Sequence, residues 1–466
     1  MSWYLLKGYR KPGEEQPYLG GGLKIRIPFI HYPFEFPDFL QGAILCVVPM
    51  GVTAAMTEIL GIPFEIALAM VIINNFMYLL HTHFGDPAIA GWITPAIPLI
   101  IGFLMGFDPG PERLQAMIAL QMLVGFIFLF LAVTGLAKKV VNAIPTSMKA
   151  GILLGAAFAS IKGEFILGGR IDSFPISIIF GLFISFFMLF SNSTAELRKR
   201  FNFFRYLAQF GIAIPFFIAY VFGIAIGEVA VPVITWGFTV LPVAEMVSTL
   251  SVFNVGFPAW STFVAAIPLA ISAYIIAFGD VLVASGLLKA ADEKRKDEKV
   301  IWEANRNHYI TSFRNLIEAF FFTYLPMAGP QWAGGQALVT NRYMNATQKE
   351  QDTYWGGATC LFWGMSIALL LGPVVSFFRP GLAIGLSLTL LLQGFLCGYL
   401  AMSMVTNNLQ RGIAAVMGAI LAVKGAAWGL AIGLGLYILL ESQLIKPKEI
   451  QLKIEDEEIK PADKAE

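Results

Sequence analysis

The sequence predicts an all-α polytopic membrane protein of fourteen transmembrane segments arranged as a 7+7 inverted repeat. Three observations predict it. Hydrophobic residues make up 57% of the 466 and charged residues 14%, against about 45–50% and about 25% in soluble domains. Apolar runs recur from residue 36 to residue 441, many reaching the ~20 residues that cross a bilayer as helix. The third run of each half is interrupted by glycine and proline. A soluble chain of this length could not keep so little charge on its surface.

In chain order the expected spans are 36–60, 63–83, 88–107, 114–137, 142–161, 174–191 and 205–229, then 262–288, 308–325, 330–344, 353–377, 380–404, 408–424 and 425–441. The last two are separated only by the Gly-Ala break in "GAILAVKGAAWGL". Charge placement tests the count. With a cytoplasmic N-terminus, the 32 Lys and Arg fall in inside segments, Arg314 among them, except Arg113, Lys149, Lys162, Arg170, Arg379 and Lys424. The connection 230–261 contains neither Lys nor Arg and fits the outer face. This is the positive-inside bias of an even span number with both termini cytoplasmic, and the expected location is a bacterial inner (plasma) membrane.

Residues 1–35 form a cytoplasmic N-terminal segment that lacks a small-residue cleavage site,. The loop "KAADEKRKDEKVIWEANRNH" and the tail 442–466 read as solvated charge runs,. The tail is too short for a further domain. Cys46, Cys360 and Cys397 lie in apolar runs without C-x-x-C spacing and imply neither disulfide nor metal site,. There is no GxxxxGK[ST], no basic nucleic-acid patch and no polar catalytic cluster, so neither an ATP-driven pump, a nucleic-acid binder nor an enzyme is expected.

The two interrupted runs are "FGDPAIAGWITPAIPLIIGF" (84–103) and "LPMAGPQWAGGQALVTNRYM" (325–344). Each has Gly and Pro first and helix-forming residues after. Non-helical backbone survives at membrane depth only where protein or a wet cavity satisfies it. A half-helix starting there presents free N–H groups and roughly half a positive charge. Two such ends facing each other make a site for an anion or a hydrogen-bond acceptor without any basic side chain. Trp92, Ile93, Thr94 and Pro95 surround one start; Gln331, Trp332, Gly334 and Gly335 surround the other. Both tryptophans could also stack on a flat substrate.

Ionisable residues inside spans are functional candidates by default. Asp280, with Ser285 following, is expected either to bind Na⁺ or a proton, or to act as a structural acid. Arg314 and Glu318 have the spacing of an i,i+4 ion pair. Glu58 falls near the outer end of the first span and reaches the interface, while Glu164, Glu228 and Glu245 fall near or beyond outer ends and read as solvated. His81 and His83 with Asp86 lack further ligands for a metal. Asn74 and Asn75 suit interhelical packing, and Gln393 a cleft position.

Here the chain resembles a known superfamily. "CVVPMGVTAAMTEILGIPFEIALAM" followed by "YLLHTHFGDPAIAGWITPAIPL" looks like the first three spans of sulfate permeases. "NAIPTSMKAGILLGAAFA" resembles the fifth span of nucleobase and sulfate permeases alike. Residues 275–342 are similar in layout to the eighth to tenth spans of uracil permease. The resemblance implies core and gate domains: core spans 36–137 and 262–377, the latter with loop 289–307, and gate spans 142–229 and 380–441. It places substrate between the third and tenth segments and suggests a homodimer through the gate. The chain departs from uracil permease-like proteins at Gln331 or Trp332, where they carry glutamate, and from sulfate permeases at Ala333 and Gly334, where they carry serine and arginine. The short tail leaves no room for the sulfate permeases' regulatory domain. The expected function is secondary active transport of a small anionic or polar solute by alternating access. The solute would be an inorganic anion or a carboxylate, with Na⁺ or H⁺ as coupling ion and no other cofactor. A nucleobase permease and an anion channel are the alternatives. The expected partners are the lipid bilayer and the solute.

Overall fold

The computed structural model describes residues 10–442 except 21, 202, 205, 206, 208 and 209. The expected tail beyond Ser442, the first nine residues and part of the seventh expected span lie outside the described residues.

The apolar runs become helices whose ends are set by proline and glycine, as backbone chemistry requires. The first run forms α1 (Phe36–Leu45), with a proline in its opening turn, and α2 (Val47–Leu60), closed by Gly61 at φ 68. α3 (Phe64–His83) follows Pro63. The third run is a strand β1 (Gly91–Trp92), a 3-10 turn (Thr94–Ala96) and α4 (Ile97–Leu104). α5 (Pro111–Thr134) starts on proline and stops at Gly135, φ 66. α6 (Thr146–Phe165), α7 (Pro175–Phe190) and α8 (Ala213–Ala225) complete the first half.

The second half repeats this order. α9 (Trp260–Lys294), α10 (Ala304–Phe321), strand β2 (Ala328–Gly329) and α11 (Ala333–Asn345) come first. α12 (Tyr354–Leu369), α13 (Leu382–Met404), α14 (Asn408–Lys424) and α15 (Ala426–Leu436) follow. Each expected span thus has a helical counterpart, and the Gly425 break between the last two is real, at φ 88. Among the described residues, by length and composition six helical stretches can cross a membrane, or seven if the bent pair Pro175–Phe190 and Asn192–Arg200 is one span.

Packing follows the repeat. α1 lies on α12 and α5 on α9; α3 lies on α12 and α10 on α5. Exchanging the two halves converts each pair into the other. Close approach needs bare backbone at reciprocal positions. A Cβ at Gly42 of α1 would overlap the Leu361 carbonyl of α12, and one at Gly364 of α12 would overlap that of Phe39. A second set packs around α6, against α13 and α14, with α7 on α8 and α13.

Three features add to the expected layout. The eighth span runs on to Lys294, past its expected end at 288, with Pro268 accommodated inside the helix. The outer connection carries two short helices, Val243–Leu250 and Val252–Val255. The described part of the N-terminal segment is docked on the bundle. Arg26 donates its backbone N–H to His83 O (2.8 Å) and lays its guanidinium 3.8 Å over the Trp355 ring. Lys299 N donates to Glu14 O at 2.9 Å. Nearby, Arg295 donates to the carbonyls of Tyr343, Ala346 and Gln351 and to both oxygens of Asp297. Those guanidinium hydrogen bonds hold the Asp297 carboxyl below the usual carboxylate range, against partial burial.

A candidate transport site at the strand crossing

The two interrupted segments meet. β1 and β2 pair antiparallel, Gly91 opposite Gly329 and Trp92 opposite Ala328. Outside the ladder, Ile93 N donates to Met327 O (3.3 Å) and Trp332 N to Ile89 O (2.6 Å). Glycine is obligatory here for space. A Cβ on Gly329 would sit 2.7 Å from the backbone carbon of Trp92, and one on Gly91 would sit 2.8 Å from Trp332 Cβ. The chain turns helical two positions past β1, at Thr94, and four positions past β2, at Ala333. Neither the Thr94 turn nor α11 has a side-chain cap; α11 keeps the orphan donors of a helix start, whereas at the Thr94 turn Pro95 has no N–H and Ala96 N donates to Ile93 O at 2.9 Å,.

The strands use only part of their hydrogen-bonding capacity on each other. α10 supplies the rest from one polar face. Arg314 donates Nη2 to Gly91 O (3.2 Å) and Nη1 to Gly329 O (3.1 Å), holding one strand of each half. Asn315 acts as a third strand: its Nδ2 donates to Ala328 O (2.8 Å) and its Oδ1 accepts from Ala328 N (3.0 Å). Asn307 donates to Pro330 O and to Asp86, at 2.9 and 2.8 Å. From α11, Gln336 accepts from Ile89 N (2.9 Å) and donates to the Tyr354 hydroxyl, which donates to Pro87 O (2.8 Å). All five side chains are buried. Unwound backbone deep in the bundle is therefore satisfied by protein, as a low-dielectric interior demands.

This architecture has known counterparts. The chain is similar in structure to the transmembrane domain of a cyanobacterium bicarbonate transporter, BicA. The TM-score is 0.53 at 14% identity, over 85% of this chain and 97% of that one. It is also similar to murine solute carrier 26 family member A9, an anion transporter in the inward-facing state. There the TM-score is 0.55 at 16% identity, over 87% of this chain and 68% of that one. The chain has the fold of these anion transporters. No protein-family model matches the sequence, and none of the curated proteins matches it.

Among the residues expected at the site, Trp92 and Thr94 are half-buried, and Ile93 and Pro95 are buried around the first helix start. Trp332 is half-buried. It lies against Gly334 and Gly335, where added Cβ atoms would meet its indole. Gly334 itself is exposed. Gln331 is fully buried, and neither end of its amide has a hydrogen-bond partner. Asp280 is half-buried on α9, the helix that also touches α4 and the Thr94 turn. No hydrogen bond joins it to the strand pair among the described residues. Ser285 lies about one turn further along α9. Gln393 is half-buried, with Cys397 Sγ at 3.6 Å.

Other expectations fail for identifiable reasons. Arg314 is not a cytoplasmic charge; it is fully buried beneath the strands. No ion pair links it to Glu318, because its Nη groups go to strand carbonyls, while Glu318 accepts from Gln121 Nε2 at 2.7 Å. Glu164 is not solvated: it is 1% exposed, held by Arg170 at 3.1 Å and by the Ser387 hydroxyl. Glu228 accepts from Ile176 N and Ser177 N at the start of α7. Asn74 does bond across helices as expected, accepting from Arg314 Nη2 at 3.0 Å, and His81 bonds to Asp86 at 2.6 Å. The roles of Arg314, Asn315, Asn307 and Gln336 were not read from sequence. The available signal was a polar stripe at 307, 311, 314, 315 and 318 within an apolar run.

Proposed function

We propose that this protein is a secondary transporter of a small anionic solute, an inorganic anion or a carboxylate, bound between the helix starts at Thr94 and Ala333. The observation that carries the reading is the strand crossing itself, with two uncapped helix N-termini issuing from one buried antiparallel pair. The orphan N–H groups of α11 and the dipoles at both starts favour negative charge where no basic side chain is needed. The set packed around α3, α5, α10 and α12 is the core, and the set around α6 and α13 the gate. Substrate moves as one shifts against the other. Both termini face the cytoplasm, and the gate is the surface through which two copies would pair. The half-buried Asp280 and Ser285 on α9 lie along a route for Na⁺ or H⁺. A nucleobase is the second reading, favoured by the unpaired Gln331 amide beside two indoles.

Thermal unfolding of the purified chain against bicarbonate, sulfate, carboxylates and nucleobases tests the solute class, since a ligand of the folded state raises the melting point. Stabilisation by an anion and saturable counterflow in vesicles are expected; flux that neither saturates nor shows counterflow would mean a pore. Asp280→Asn with cation-dependent uptake unchanged would remove Asp280 as the coupling residue.

A further inference from the structure

We propose that Glu318 and Arg314 form a proton-operated clamp on the strand pair, Glu318 being the group that takes up the proton. The proposal rests on the carrier reading above and adds the residue through which protons act.

The two residues sit one helical turn apart on α10, and both are fully buried. Their spacing is that of an ion pair, yet they are not paired. Arg314 holds Gly91 O and Gly329 O instead, and its Nε has no partner; Glu318 Oε1 has none either. The other carboxyl oxygen, Oε2, takes the Nε2 donor of Gln121. The Gln121 amide oxygen accepts from the Thr323 hydroxyl (3.0 Å) and from Tyr324 N (2.8 Å). Gln121 is thereby fixed with its N–H₂ toward Glu318.

The surrounding groups define the charge state. From α3, Tyr78 lies under the guanidinium at 4.8 Å, and His81 Nε2 faces Arg314 Nη1 at 3.3 Å. A guanidinium can only donate, so His81 accepts there and is neutral, giving its Nδ1–H to Asp86,. Tyr324 faces the pair from the segment after α10, Gln121 from α5, and Asn307 and Asn315 from α10 itself. His308, further along α10, is engaged with Tyr274. Arg314 already has Asn74 and the strand carbonyls as partners, so Glu318 without a proton is a buried carboxylate with Gln121 as its one hydrogen-bond donor among the described residues, an arrangement that favours the protonated form. The observed contacts, arginine on the carbonyls and a carboxyl oxygen left alone, are those an uncharged carboxyl makes.

Release of the proton to water leaves a carboxylate one turn from the free Nε, in the geometry that favours an ion pair. Drawing the guanidinium over to it strips the charge-assisted donor from Gly91 O or Gly329 O, leaving that buried carbonyl only its cross-strand partner, and losing a buried hydrogen bond to a charged group is costly. The two arrangements are therefore discrete, and binding one proton closes the clamp between the halves. By linkage, a solute that favours the clamped crossing raises proton affinity equally.

The test uses the full chain in phospholipid vesicles with bicarbonate, sulfate, a dicarboxylate and uracil as probes. Counterflow at equal pH and accumulation driven by an imposed proton gradient are both measured. Glu318→Gln keeps an acceptor for Gln121 and fixes the uncharged state. Counterflow within about twofold of wild type, with gradient-driven accumulation down at least about fivefold, is expected. Accumulation retained in E318Q overturns the proposal. Loss of counterflow together with accumulation overturns it as well, since Glu318 is then structural. Wild-type counterflow without any accumulation driven by the proton gradient overturns the clamp and leaves the carrier reading standing. Absence of wild-type counterflow with every probe sinks the carrier reading itself.

Discussion

Asn315 gives the sharpest test of how the crossing is held. Its side chain is fully buried and pairs with both the N–H and the C=O of Ala328, at 3.0 and 2.8 Å. Asn315→Ala leaves both backbone groups without these partners. At about 1–3 kcal/mol for each buried unpaired group, the expected loss is about 2–6 kcal/mol. Asn345→Ala is the control, because Asn345 is exposed in the last turn of α11, where changes stay within about 0.5 kcal/mol. Reversible unfolding in mixed micelles, titrated with denaturing detergent, reads the difference, and counterflow reads its effect on the site. Interhelical hydrogen bonds in bilayer proteins average only about 0.6 kcal/mol, because freed groups find other partners. A loss no larger than that would refute the claim that Asn315 serves as the third strand.

Three other outcomes follow from the same geometry. Gly329→Val places side-chain atoms where even a Cβ lies 2.7 Å from the Trp92 backbone; it should cost about 1–3 kcal/mol and abolish uptake. Gly102→Ala on α4, with nothing within 4 Å of the new atom, should be neutral or stabilising, and a G102A loss equal to that of G329V would discredit the steric account. Arg170 bridges Glu164 of α6 at 3.1 Å and Glu58 of α2 at 3.8 Å, across the two packed sets. A cleavable bifunctional thiol reagent joining Glu58→Cys to Arg170→Cys across the span of the two lost side chains should stop counterflow until it is cleaved, the native Cys46, Cys360 and Cys397 being buried; undiminished flux in the cross-linked protein would exclude relative motion at that edge. Asp297 titrates below its ordinary range because Arg295 bonds its ionised form. Its contribution to stability is therefore present above the unfolded carboxyl pKa of about 3.9 and is lost as pH falls through the lower folded value. Asp297→Asn should flatten that part of the melting-temperature profile between about pH 5 and pH 2, and an unchanged profile would remove the Arg295 pair as its cause.

What could be read from the chain alone was whatever depends on local composition. Run length and hydropathy place the helices, since lipid and packed protein both select apolar side chains. Gly and Pro at 91, 95, 326, 329 and 330 mark where helices stop, because backbone freedom and the missing proline N–H act within a turn or two. The matched order of the halves follows from the same marks. The partners of the polar residues were not legible. Arg314 counts as one more basic residue after a charged loop, and only the folded bundle carries it to Gly91, 223 positions away. Glu164 looks like an interfacial acid until Arg170 and Ser387 close over it. An apolar pattern states that a helix face is withdrawn from water, but lipid and protein satisfy it equally well. A buried hydrogen bond needs one particular atom about 3 Å away, and which atom arrives there is decided only when both halves pack together.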